Sequence, residues 1–236
     1  MTHQPRTVQA ISIEGVPLDL LRAMYRTMVS IRVFEERVAE LLEQGEIRCP
    51  THLYIGQEAI ATGVCAALRQ DDYIFGNHRS HGHYLAKNAD MSKMLAELFG
   101  KRTGCSMGRG GSMHLIATEV GVMGTAPIVS GTVPLAVGAA LASKLRGSDG
   151  VSVTFFGDGT MEEGTVHESM NMAASTNLPV IFVCENNLYS SHMQILERRA
   201  KDNLVESAEA HGMQGMIVDG NDVIAVYKAA TEAVSR

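Results

Sequence analysis

The chain has 236 residues, 45% of them hydrophobic and 19% charged, so it can bury a sizeable core and is not intrinsically disordered. A net charge of −6, no Trp and few aromatics argue against nucleic-acid binding, which needs a basic footprint or a stacking platform. No apolar run reaches the ~18 residues of a membrane span, the polar start has no secretory-signal core, and Cys49, Cys65, Cys105 and Cys184 contain no CxxC pair, so a cytoplasmic protein with reduced thiols is expected.

Residues 1–16 read as a loose leader and residues 17–236 as one α/β domain. Pro17 and Asp19 open a helix to about Glu43, in which Leu20, Leu21, Met24, Met28, Ile31, Phe34, Val38 and Leu41 share one stripe. Residues 47–54 are extended or irregular, and an Ala-rich helix covers 56–68. A short strand at 71–75 delivers the run Gly76-Asn77-His78-Arg79-Ser80-His81-Gly82-His83. Locally this is either a solvated polar loop or an anion site, since an arginine suits phosphate. His81 and His83 alone are too few ligands for zinc. A helix follows at 91–99.

Residues 101–132 are punctuated by Gly104, Gly108, Gly110, Gly111, Gly121, Gly124 and Gly131, as in a functional or mobile loop that approaches a ligand closely. The spacing matches neither a dinucleotide fingerprint nor a phosphate loop. Residues 133–145 predict a helix with Pro134 in its first turn. Cys65 and Cys184 lie in apolar segments and read as buried thiols.

The most informative stretch is 155–190. Residues 151–156 form an apolar strand that Gly157-Asp158-Gly159 breaks. Thr160 and Glu163 have capping-box spacing, and Val166, Met170, Ala173 and Ala174 recur at helical intervals until Asn177-Leu178-Pro179. Residues 180–184 are unbroken apolar sequence, as in a parallel strand buried on both faces. The unit is a right-handed βαβ crossover, and the fold class is α/β, a parallel sheet flanked by helices. Asp158 and Asn187 then follow the carboxyl ends of two parallel strands, the edge at which open α/β sheets bind ligands. An Asp, an Asn and a backbone carbonyl suit Mg²⁺ or Ca²⁺ better than zinc, and amides at a helix start receive phosphate. The spacing points to a metal-bound phosphate. Beyond it, residues 196–210 read as helical, 216–218 as a strand and 223–235 as a final helix.

Four stretches together resemble a known family: His52-Leu53-Tyr54-Ile55-Gly56-Gln57-Glu58; His78-Arg79-Ser80-His81-Gly82; Gly108-Arg109-Gly110-Gly111-Ser112-Met113-His114; and Gly157-Asp158-Gly159 with Glu185-Asn186-Asn187. Over about residues 18–236 the chain is similar to the alpha subunit of the thiamine-diphosphate-dependent 2-oxo acid dehydrogenases, the decarboxylating component of the pyruvate, branched-chain and acetoin enzymes. The resemblance implies the thiamine-diphosphate-binding fold, with Mg²⁺ held by Asp158, Asn187 and the carbonyl of Tyr189. It implies that the backbone amides of Gly159 and Thr160, together with His78 and Arg79, hold the diphosphate. It makes Val129, in Ile128-Val129-Ser130, an apolar wedge under the cofactor, and His81 a catalytic residue. The expected partners are a beta-like subunit supplying the activating glutamate, a 2-oxo acid and a lipoyl carrier.

Family members continue past residue 236 with a further region, so a shortened, non-catalytic relative is one alternative. The acidic Met161-Glu162-Glu163-Gly164 motivates another, a split transketolase-like enzyme acting on sugars.

Overall fold

The computed structural model describes residue 13 and residues 15–236; the expected leader lies almost wholly outside the described residues. Helix α1 (Leu18–Glu43) buries Met24, Ile31, Phe34, Val38 and Leu41, the stripe its period predicts, and with them one charged residue, Glu35. Then come α2 (Glu58–Ala66), β1 (Tyr73–Gly76), α3 (His81–Ala86) and α4 (Met91–Leu98), the last capped by the Asp90 carboxylate. Strand β2 (Val122–Thr125) leads to α5 (Val133–Arg146), which ends on Gly147 in the left-handed conformation usual for a helix stop. Strand β3 (Ser152–Gly157), α6 (Gly164–Ser175) and β4 (Val180–Glu185) form the expected βαβ unit. A two-residue hairpin, β5 (Tyr189–Ser190) and β6 (Met193–Gln194), runs into the short α7 (Ile195–Arg198), α8 (Val205–Ala210) and α9 (Val223–Val234).

The sheet is parallel throughout, in the order β2-β1-β3-β4. Successive side chains point to opposite faces. Val153, Phe155, Ile181 and Val183 pack into a core shared with α1, α2, α3, α4 and α9. Phe75, Val180 and Phe182 meet α5 and α6 on the other face, and Phe156 and Cys184 join a neighbouring cluster with Val166 and Met170. A sheet covered by helices on both faces is the arrangement that all-parallel strands require. Among the described residues no helix is long and apolar enough to cross a membrane.

Several elements depart from expectation. The histidine run is not a solvated loop: it enters α3, and His81 and His83 are fully buried. The glycine-rich region contains β2, which its glycine disguises. Thr160 and Glu163 make no capping box. Residues Asp158–Glu162 wind into a 3₁₀ turn, and α6 starts at Gly164 without a side-chain cap. The helix expected over 196–210 divides into α7 and α8. Residues 216–218 form no strand, although their sequence is apolar, because no strand lies beside them to complete a ladder; Ile217 is 81% exposed. A cleft of ≈ 970 Å³ runs instead between the open edge of β4, residues 212–216 and the end of α9. The four cysteines are free; Cys65 is buried, which pushes its thiol up to about 12, and burial also pushes the Cys184 thiol well up although that residue keeps some exposed surface.

Candidate functional site

Because the strands are parallel, their carboxyl ends share one edge, and the loops there carry every residue singled out as a ligand. Chain order reverses between β1 and β3, since β2 lies to one side of β1 while β3 and β4 extend to the other. Such a switch point opens a crevice for ligands. His78 and Arg79 follow β1, Val129 follows β2, Asp158, Gly159 and Thr160 follow β3, and Asn187 and Tyr189 follow β4. The register Gly157↔Glu185 places the last two loops side by side.

The loop after β1 is basic. The rings of His52 and His78 meet edge to face, 4.9 Å between centroids. Arg79 is anchored by one guanidinium hydrogen bond to the Leu53 carbonyl, 2.8 Å, and its amide donates to Asn77 Oδ1. Burial pushes the His78 imidazole below its ordinary pKa, and the positive charges of His52 and Arg79 push the same way. His52 is lowered for the same two reasons, burial first and Arg79 second. Neutral imidazoles held beside an arginine stand ready to gain a proton once an anion arrives.

The loop after β2 holds Val129 on the surface, 48% exposed, ahead of Ser130 at φ 65. A positive φ on a residue with a side chain is a stored distortion of the kind that collects at ligand sites.

The loops after β3 and β4 bring Asp158, Gly159 and Asn187 to neighbouring strand ends. Asp158 is 1% exposed. Its Oδ2 accepts a hydrogen bond from Arg198, while Oδ1 takes none from any described residue. A Cβ at Gly159 would lie 2.4 Å from Ser190 Oγ, so only glycine lets the β5 strand cross this turn. Asn187 Oδ1 accepts from the Tyr189 amide at 2.9 Å, which fixes the Asn side chain at the start of the hairpin. No group of three His, Cys, Asp or Glu among the described residues could hold a metal. A metal at Asp158 would therefore draw on the Asn187 amide oxygen and on backbone carbonyls, a hard-oxygen set that fits Mg²⁺.

Two buried pairs stand behind these loops. His81 is 0% exposed; its Nδ1 lies 2.8 Å from Glu35 Oε1 and its Nε2 2.8 Å from Ser112 Oγ. It pins the glycine-rich segment to α1 and reaches no surface. His83 stacks on Phe155 and bonds Glu185 Oε1 at 2.9 Å, and the Tyr54 hydroxyl donates to the same oxygen. The segment around Gly108 and Gly111 is organised by Glu97, whose carboxylate accepts from the amides of Ser106, Gly108, Gly110 and Gly111.

Residues 25–236 match the sequence profile of the dehydrogenase E1 component. The chain belongs to this family. It is 47% identical over 225 residues to the alpha subunit of acetoin:2,6-dichlorophenolindophenol oxidoreductase from Bacillus subtilis, covering 94% of this chain and 68% of that protein. It is 44% identical over 216 residues to the pyruvate dehydrogenase E1 component subunit alpha of Rhizobium meliloti, covering 92% and 62%. The corresponding subunit of Zymomonas mobilis is 46% identical over 215 residues, covering 91% and 61%. The chain thus spans about half to two thirds of the length of the curated relatives it matches. The candidate site residues read from sequence lie in loops at one sheet edge, and His81 is buried behind it. Arg198, Glu97 and Ser112 escaped the sequence reading; only Ser112 sat in a motif that could have flagged it.

Proposed function

We propose that this chain is the alpha subunit of a thiamine-diphosphate- and Mg²⁺-dependent 2-oxo acid dehydrogenase-type enzyme that works in the cytoplasm with a beta-like partner. One observation supports it above the others: in a chain of the dehydrogenase E1 family, Asp158 and Asn187 leave adjacent parallel strands at the sheet edge beside the switch point. Asp158, the Asn187 amide oxygen and the Tyr189 carbonyl would hold the metal. The amides of Gly159 and Thr160 would take the diphosphate from one side, and His78 and Arg79 from the other.

Bound there, thiamine diphosphate would supply the electron sink for decarboxylation. The chain's own residues anchor and neutralise. Arg79 and the protonatable His78 offset phosphate charge, Gly159 permits close backbone approach, and Val129 presents an apolar surface that excludes water. His81 is assigned a positioning role rather than the catalytic one expected of it, because both ring nitrogens are engaged inside the protein. The beta-like subunit would supply the activating glutamate, and a lipoyl carrier would accept the acyl group left by the 2-oxo acid.

Calorimetry with thiamine diphosphate, with and without Mg²⁺, tests the binding half; carbon dioxide release from 2-oxo acids on mixing with the beta-like partner tests the rest. Mg²⁺-dependent binding and partner-dependent release are expected. Absence of Mg²⁺-dependent binding even with the partner present would refute the reading in favour of a non-catalytic relative. Turnover of ketose phosphates without carbon dioxide release would favour the transketolase-like alternative.

A further inference from the structure

Arg198 is a buried cation on the carboxylate that would bind a cation. Its side chain is 7% exposed. One terminal nitrogen bonds Asp158 Oδ2, the other bonds Glu162 Oε1, and Nε reaches the Met193 carbonyl at 3.3 Å. The guanidinium ties α7 and the hairpin to the 3₁₀ turn after β3, beside Gly159, whose added Cβ would stand 3.6 Å from it. Asp158, Glu162 and Arg198 together carry a net charge of −1. A divalent ion arriving alone must share Asp158 with a fixed positive group and is repelled by it. A metal arriving with a diphosphate brings net negative charge, which the same arginine attracts.

We propose that Arg198 makes the site selective for the metal–diphosphate pair over the free metal, so that metal and anion bind as one cooperative unit. This rests on the reading of Asp158 as the metal ligand. The coupling is reciprocal: whatever factor the anion adds to metal affinity, the metal adds to anion affinity. Arg198 offsets part of the Asp158 charge without the cofactor, and the free divalent ion binds there more weakly than the metal–diphosphate pair.

The test uses the whole chain, Mn²⁺ as probe and inorganic pyrophosphate as the anion, with titrations corrected for the complex the two form in solution. Arg198→Met should bind Mn²⁺ alone about tenfold or more tightly than the parent, and the enhancement produced by saturating pyrophosphate should shrink about tenfold. Arg198→Lys, which keeps the charge, should retain most of the coupling. Glu162→Gln changes a partly exposed side chain and shifts the charge the other way. It should bind Mn²⁺ alone more weakly and show a larger pyrophosphate enhancement, which gives an answer even if Arg198→Met does not fold. Equal or weaker binding of free Mn²⁺ by Arg198→Met would overturn the proposal and leave Arg198 a mere brace for Asp158. Unchanged coupling in Glu162→Gln would also overturn it. Mn²⁺ binding that survives in Asp158→Asn would refute instead the underlying assignment of the metal site.

Discussion

Replacing Glu97 by Gln should loosen the glycine-rich segment, and its cost follows from the bonds Glu97 makes. Oε2 accepts from the amides of Ser106 and Gly108, both at 2.8 Å, and Oε1 from Gly110 at 2.7 Å and Gly111 at 3.1 Å. The residue has no exposed surface. In glutamine one oxygen becomes an NH₂ group, which turns two of these contacts into donor against donor. Two buried amides left unpaired cost about 1–3 kcal/mol each, so about 2–6 kcal/mol in all, toward the lower end if the segment swings out to water. Urea unfolding followed by circular dichroism measures the loss, and tryptic cleavage after the exposed Arg102 and Arg109 reports local opening. The pH dependence carries its own sign. Burial raises the Glu97 pKa, but the hydrogen bonds from Gly108, Gly110, Ser106 and Gly111 outweigh it and hold the group below the ordinary carboxylate range. A depressed carboxylate contributes stability that is present above its unfolded pKa and lost as pH falls through the folded one. The gap between parent and variant should therefore be full at neutral pH and narrow in acid. A loss under about 0.5 kcal/mol, with unchanged tryptic cleavage, would refute the assignment of Glu97 as the organiser of this segment.

Three further outcomes are expected. Asp158→Ala should weaken Mg²⁺-dependent thiamine diphosphate binding on the order of 100-fold or more, since it removes the one anionic ligand; calorimetry showing unchanged affinity would place the metal elsewhere. Gly159→Ala should lower the melting temperature and weaken pyrophosphate binding, because the new methyl overlaps Ser190; Ser190→Gly in the same chain should restore much of both, and no rescue would mean the clash is not the cause. His52 and His78, held below the ordinary imidazole pKa, should take up protons when pyrophosphate binds, so affinity should rise as pH falls toward 6 and below. Calorimetry in two buffers of different ionisation enthalpy reads this uptake directly, and its absence would show that neither ring faces the anion.

The parts of the fold visible in the sequence are those whose period is long or whose ends are punctuated. Helix α1 keeps its stripe over 26 residues, and the βαβ unit is bracketed by Gly157-Asp158-Gly159 and Asn177-Leu178-Pro179. Strand β2 was hidden because Val122-Met123-Gly124-Thr125 is short, contains a glycine and pairs through an irregular register with β1. Residues 216–218 mislead in the opposite direction. Their apolar, β-branched composition meets the local requirement for a strand, but a strand exists only against a neighbour, and local sequence does not report whether one is there.

The site divides along the same line. The position of candidate residues that follow strand ends could be read from sequence, because parallel pairing alone brings Asp158 and Asn187 to one edge. The histidines could not, because their meaning depends on carboxylates far away in the chain. His81 finds Glu35 46 residues back, and His83 finds Glu185 102 residues ahead, where Tyr54, separated from Glu185 by 131 residues, converges on the same oxygen. Read as an i, i+2 pair they resembled ligands or a polar loop; buried in α3 they act as struts. Glu185 is the last residue of β4, just ahead of Asn186 and Asn187. The bond from His83 therefore ties the helix that follows the basic His78–Arg79 loop to the strand end that presents Asn187. Breaking it leaves a carboxylate in the interior with one partner fewer, a cost that can reach several kcal/mol. The two sides of the candidate ligand crevice thus share a buried support, so the His78–Arg79 loop and the Asn187 loop are expected to shift together and not independently.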